Sequence, residues 1–252
     1  MRKSLVSGLV LAFVLSFVPK ADAALILAVD VNGSLACATD NNSTCTYGTQ
    51  LFDTNPLLGV LSLDATTIGG VDVEGSLHTQ EVSPGVNQLS SSSLSITNLL
   101  QTTALVQASI GATDFQPLAQ TAELSGSGTW VSSLGSSTTF TYYNDPTNQQ
   151  GGETATDRPG DLLASFSDVS TGGRNDAFSF SQDGIVVFDP FPFSMTLGFD
   201  MTLLGGDSLI SRGQTIFKDQ TDVSEVPEPM SMVLLGTGLL GGGYLKRRQK
   251  KA

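Results

Sequence analysis

The chain has 252 residues, 24 acidic against 12 basic, and a formal net charge of −12. Most of the basic residues sit at the two ends, so residues 24–225 hold only Arg158, Arg174, Arg212 and Lys218 against 22 acids, a charge of −18. A body this acidic repels nucleic acid and anionic lipid at ordinary salt, and its length suffices for one domain with its own core.

Arg2 and Lys3 precede an apolar stretch from Leu5 to Val18, and Ala21-Asp22-Ala23 follows Pro19-Lys20. A positive start, a short apolar run and an A-x-A site predict a signal peptide over 1–23, cut between Ala23 and Ala24. Fourteen apolar-rich residues suit that role better than a spanning helix. Export places Cys37 and Cys45, the only cysteines, in an oxidising compartment. They bracket a polar loop, which predicts a disulfide contributing on the order of 2–3 kcal/mol. Two cysteines and one distant histidine are too few for a metal centre.

The body, 24–217, reads as strands throughout. Ala24–Val31 runs into Asn32-Gly33, a type I′ hairpin signal, and on to Ser34–Ala38. Leu57–Asp64 and Thr66–Leu77 are further strands, with Gly69-Gly70 and Gly75 expected at bulges or bends. Ser93–Leu99 and Ala104–Gly111 follow; Thr103–Gln107 fits a strand or, through Gln, Ala and Leu, a helical turn. Ala122–Val131 carries the single tryptophan, Trp130, and Thr138–Tyr143 alternates Phe140 and Tyr142 with threonines. Asn144–Asp161 has almost no apolar residue and is expected to be a long exposed loop.

Asp183-Gly184 between Ala177–Gln182 and Ile185–Phe188 is a second hairpin signal. From Phe193 to Leu203 apolar and polar residues alternate, which predicts an antiparallel strand with one dry and one wet face. The fold expected from these segments is an all-β antiparallel β-sandwich, of which the jelly roll is one form. Residues 218–225 form an acidic linker.

No catalytic constellation stands out. His78, the sole histidine, reads as an exposed residue at a strand end, and no particular serine is singled out to work with it. There is no HExxH, no G-x-S-x-G and no phosphate-binding glycine loop. Glu74, Glu81, Glu123 and Glu153 are the glutamates before the linker, and none is marked as half of a glycosidase pair. Asp30-Val-Asn32-Gly33 and Asp40-Asn41-Asn42 resemble fragments of a calcium loop but lack its closing glutamate, so turns are expected there. Phe178, Phe180, Phe193 and Phe199 read as core rather than as a sugar-stacking platform. No cofactor is expected.

The last segment, 226–252, has three parts in order. Pro227-Glu228-Pro229 is a stiff, extended handle. Met230–Leu245 is a run of sixteen uncharged residues, roughly 24 Å as a helix at about 1.5 Å per residue, short of a hydrocarbon core about 30 Å thick. Lys246, Arg247, Arg248, Lys250 and Lys251 then form a basic cluster that stays on the cytoplasmic side. With Leu234-Leu235-Gly236-Thr237-Gly238-Leu239-Leu240-Gly241 inside the run, this tail resembles the PEP-CTERM sorting signal. The resemblance implies export and transient membrane anchoring. It further implies processing by an exosortase-type membrane enzyme and delivery to the surface or exopolysaccharide matrix of a Gram-negative bacterium. It lends the body neither fold nor activity. The expected role of the body is structural or adhesive within that matrix, with a lectin-like carbohydrate-binding module and then a secreted hydrolase as the alternatives.

Overall fold

In the computed structural model, the described residues are 24–218, apart from 84–85, 117–120, 132–133, 174–175 and 188–191. The signal peptide and its cut after Ala23, the linker beyond Lys218 and the whole sorting tail lie outside the described residues. Within them the strands are β1 (Leu25–Val31), β2 (Ser34–Thr39), β3 (Thr49–Gln50), β4 (Val60–Ile68), β5 (Val71–Ser83), β6 (Val86–Asn98) and β7 (Ala104–Phe115). The series continues with β8 (Thr121–Trp130), β9 (Leu134–Asp145), β10 (Asp161–Thr171), β11 (Asp176–Val186), β12 (Phe193–Leu203) and β13 (Ser208–Lys218). They form a seven-stranded sheet, β10-β9-β12-β7-β1-β2-β3, and a six-stranded sheet, β11-β8-β13-β6-β5-β4. Every pairing is antiparallel except the short parallel contact of β2 with β3. The fold is a β-sandwich.

One apolar cluster fills the space between the sheets, fed by the inward positions of both. Its aromatic centre is Phe140, whose ring lies 5.0 Å from Phe199, 5.2 Å from Phe180 and 5.8 Å from Phe178, all edge-on. Edge-to-face rings add to the burial energy because the positive rim of one meets the negative face of the other. The four expected core phenylalanines are thus placed against the core, Phe193 and Phe199 fully and Phe178 and Phe180 partly buried. Glycine at 126 and 128 makes room for the last two, since a Cβ there would run into the Phe180 and Phe178 rings. Two polar groups stitch the sheets together: Trp130 Nε1 on β8 donates to Asp168 Oδ2 on β10 at 2.7 Å, and Tyr142 OH on β9 donates to the Ser125 carbonyl at 2.6 Å. Burial holds the Tyr142 phenol well above its ordinary pKa.

Cys37 and Cys45 are joined by a disulfide. Asn32 and Gly33, both at positive φ, make the β1–β2 turn, capped by Asp30 Oδ1, which accepts the Gly33 N–H at 2.7 Å. The helical alternative for residues 103–107 gives way to strand, because β7 is central and pairs with β1 on one side and β12 on the other. There, packing overrides propensity.

Four expectations are corrected. Asp183-Gly184 is not a hairpin: β11 continues through it, and the residues on both sides pair with the same strand, β8. Gly184, at φ +71°, instead absorbs the register shift between Gln182 and Ile185, as a bulge glycine does. Gly69-Gly70 is the turn between β4 and β5, with φ of +56° and +85°, so Thr66–Leu77 folds back on itself; Gly75 does sit at a bulge. The stretch 146–160 is not an exposed loop but a cover over the seven-stranded sheet, with Gly151, Gly152 and Ala155 buried. That cover also dries the outer side of β12, where Ser194 and Thr196 are buried opposite the core-facing Phe193, Met195 and Leu197. Alternation in the sequence reports two faces; it does not report what lies over the polar one.

Candidate functional site

Serines at every second position give the six-stranded sheet its outer surface. On β8, Ser125 and Ser127 point away from the core while Leu124, Gly126 and Gly128 are buried. The strand registers align these residues across the sheet: Ser181 faces Ser125, Ser125 faces Gln214, Gln214 faces Ser90, and Ser90 faces His78. A second row joins Ser179, Ser127 and Arg212. The register of β13 on β6 slips between Ser211 and Gly213, a bulge that sets Arg212 opposite both Ser92 and Ser93 of β6. Above these rows lies a groove of about 390 Å³ lined by serines, two glycines, Gln88, Gln214, Arg212 and Phe180, with no Asp or Glu.

His78 stands at the margin of this surface, and its expected position is corrected. It lies in the middle of β5 and is half-buried, with Nε2 2.8 Å from Ser76 Oγ and 3.2 Å from Ser92 Oγ. The structure therefore brings two serines to the histidine, where sequence singled out none. Among the described residues no carboxylate hydrogen-bonds to its Nδ1 to fix a tautomer and stabilise an imidazolium, as a nucleophile's base requires. Burial lowers the His78 pKa below 6.5. A histidine with a depressed folded-state pKa contributes stability above pH 6.5 that is lost as pH falls through the folded value. We expect the His78 ring to titrate below 6.5 by NMR, and substitution with glutamine to flatten the loss of stability between pH 6.5 and 5; a midpoint at or above 6.5 would contradict the burial argument.

The other candidates separate. Glu74 on β5 and Glu123 on β8 have β6 and β13 between them, about 14 Å across the sheet at about 4.8 Å per strand, and their registers meet β6 at Ser95 and Gln88, about 23 Å apart along it. That spacing exceeds either glycosidase geometry. Glu153 lies in the cover of the opposite sheet. Asp30 caps the first hairpin turn, whereas Asp40–Asn42 form a short 3-10 helix from which Asp40 Oδ2 accepts the distant Gly59 N–H at 2.6 Å. Among the described residues no group of three or more His, Cys, Asp or Glu side chains is placed to hold a metal ion.

A second groove, about 560 Å³, lies on the outer face of the seven-stranded sheet beside Asp30, Gln107 and Asp200. Its polar groups are already engaged: Gln107 Nε2 donates to Asp200 Oδ1 at 3.1 Å, and Asp200 is paired with Arg158. The serine groove is only partly engaged: Ser125 Oγ donates to Gln214 Oε1 at 3.4 Å and Gln80 Nε2 to Gln88 Oε1 at 3.1 Å, while Ser127, Ser179 and Arg212 make no side-chain hydrogen bond among the described residues. Sequence analysis missed Arg212 and Gln214. The signal was the spaced serines at 90, 92, 125, 127, 179 and 181, which show a shared surface only once the strand order is known.

Residues 225–249 match the family model of the PEP-CTERM protein-sorting motif, which marks an exported protein sorted by exosortase. No curated protein matches the chain in sequence. Among solved structures, the chain is similar to the galactotriose-bound module TmCBM61, at 11% identity and a TM-score of 0.34 over 57% of this chain and 88% of that one. It is also similar to the K1 cleaved adhesin domain of Lys-gingipain from Porphyromonas gingivalis W83, at 12% and 0.33 over 67% and 96%. The C-terminal CBM6 of LamC from Zobellia galactanivorans gives 14% and 0.27 over 63% and 99%. Agreement this low carries no argument about ligand or activity. Among the described residues no helix is long and apolar enough to cross a membrane.

Proposed function

We propose that the body, 24–217, is a non-enzymatic adhesive component of the exopolysaccharide matrix at a Gram-negative cell surface, and that it holds polymer in the serine groove of the six-stranded sheet. In this reading residues 1–23 are removed at Ala23–Ala24, 218–225 space the domain from the membrane, and 226–252 deliver it to the exosortase. The observation that carries the reading is the set of polar groups that make no side-chain hydrogen bond among the described residues, the Ser127 and Ser179 hydroxyls and the amide nitrogens of Gln88 and Gln214, along one open face. Sugar hydroxyls both donate and accept, so a surface of serines and carboxamides can match them group for group. A chain of sugars laid along it would gather many such bonds, each worth about 1 kcal/mol net.

The test is affinity electrophoresis of the mature body in gels containing soluble neutral polysaccharides, such as galactan, mannan and xyloglucan. We expect retardation by at least one of them. The double variant Ser127→Leu/Gln214→Leu should weaken it about thirtyfold, from the loss of two hydrogen bonds of about 1 kcal/mol each. Unretarded migration of the wild type in every one of these gels, and in a further gel containing polygalacturonate, would remove the proposed role.

A further inference from the structure

We infer that the groove selects an acidic glycan, with Arg212 pairing to the carboxylate of a uronic-acid unit. This rests on the polysaccharide reading above and adds the ligand's charge. Only four basic residues occur between 24 and 225. Of the two whose side chains are described, Arg158 is engaged with Asp200. Arg212 makes no ion pair among the described residues and is exposed at the groove, next to Ser127. Such a body has carboxylates available almost anywhere, yet none lines this groove. The register slip between Ser211 and Gly213 sets Arg212 opposite two residues of β6, Ser92 and Ser93, so the groove around it offers hydroxyls, amides and the Phe180 ring but no carboxylate. A guanidinium offers a planar pair of donors that fits a carboxylate two-on-two, while the serines and Gln214 address the sugar hydroxyls around it. The overall charge of the body opposes an anionic polymer, but that field is screened beyond roughly 8 Å at physiological salt, whereas the contact at Arg212 is direct.

The experiment compares de-esterified oligogalacturonate with its fully methyl-esterified form at physiological salt, by calorimetry on the mature body. The two probes share every hydroxyl and differ only in charge. We expect the acid to bind at least tenfold more tightly than the ester. Arg212→Gln should bring the acid down to the level of the ester and leave the ester unchanged, while Arg212→Lys should keep part of the preference. Because Arg212 is exposed, the variants are not expected to unfold the sandwich, and their denaturation midpoints check this. Equal binding of acid and ester by the wild type, or a preference that survives Arg212→Gln, would overturn the inference and leave the polysaccharide reading standing. Binding of neither form, together with free migration in all the neutral gels, would end both.

Discussion

Replacing Arg158 with glutamine is expected to lower the unfolding free energy by about 2–4 kcal/mol, because it strands a partly buried carboxylate. Arg158 Nη1 donates to Asp200 Oδ2 at 2.6 Å and Nη2 to Asp200 Oδ1 at 3.0 Å, a two-pronged pair. Nη1 also reaches Thr141 Oγ1 at 3.2 Å, and Nη2 the Ala108 carbonyl at 3.4 Å. The arginine side chain is 11% exposed and that of Asp200 35%, so the pair is shielded on one side and wet on the other. That asymmetry puts the cost above an exposed pair's and toward the lower part of the range for buried ones. Glycine at 198 leaves the slot in which the guanidinium lies, since an added Cβ would strike it. The remaining anchors of the cover are weaker: Ser109 Oγ donates to the Asp157 carbonyl at 2.7 Å, and Asn148 exchanges two bonds with Asp114 at 2.8 and 2.9 Å. Urea denaturation gives the stability change. Limited proteolysis should show new cuts within 146–160, and a variant as stable and as protease-resistant as the parent would show that the clasp is dispensable.

The second large effect concerns the tail. Changing Pro227-Glu228-Pro229 to Ala-Gln-Ala is expected to abolish removal of the segment after the motif, an all-or-none result in the mass of the surface-exposed protein. In the proposed sorting, a run of sixteen apolar and small residues is short for a span and the basic cluster behind it opposes passage, which would hold the precursor in the membrane with the motif ahead of it. Wild-type protein recovered with its tail intact would reduce 226–252 to a plain anchor. Processing that continues in the variant would place the recognised feature elsewhere.

Much of the sandwich was legible because a period of two survives any arrangement of sheets. Phe193 to Leu203 announced a strand, and Asn32-Gly33 announced a turn whose positive φ values few other pairs accept. Asp183-Gly184 carried the same local signal and led elsewhere, because β8 runs unbroken beside it and holds both halves in one line. What covers a face was not legible. Arg158 and Asp200 stand 42 positions apart, and nothing near either one names the other. The serine groove was hidden for the same reason: its rows draw on β5, β6, β8, β11 and β13, whose order in the sheet is not their order in the chain. His78 was misplaced because the apolar alternation stops at Leu77, whereas β5 runs on through polar residues to Ser83.

The place of β13 governs when this surface can exist. It follows the other twelve strands in the chain, yet it is inserted between β8 and β6 in the six-stranded sheet. A polypeptide emerging from a secretion channel, amino end first, could assemble β4, β5 and β6 as a local meander, but the gap beside β6 would stay open until residues 208–218 arrived. Arg212 and Gln214 arrive with that strand. On the proposed function, competence to grip a polymer is therefore a property of the fully translocated body, acquired at the end of its passage and on the far side of the membrane.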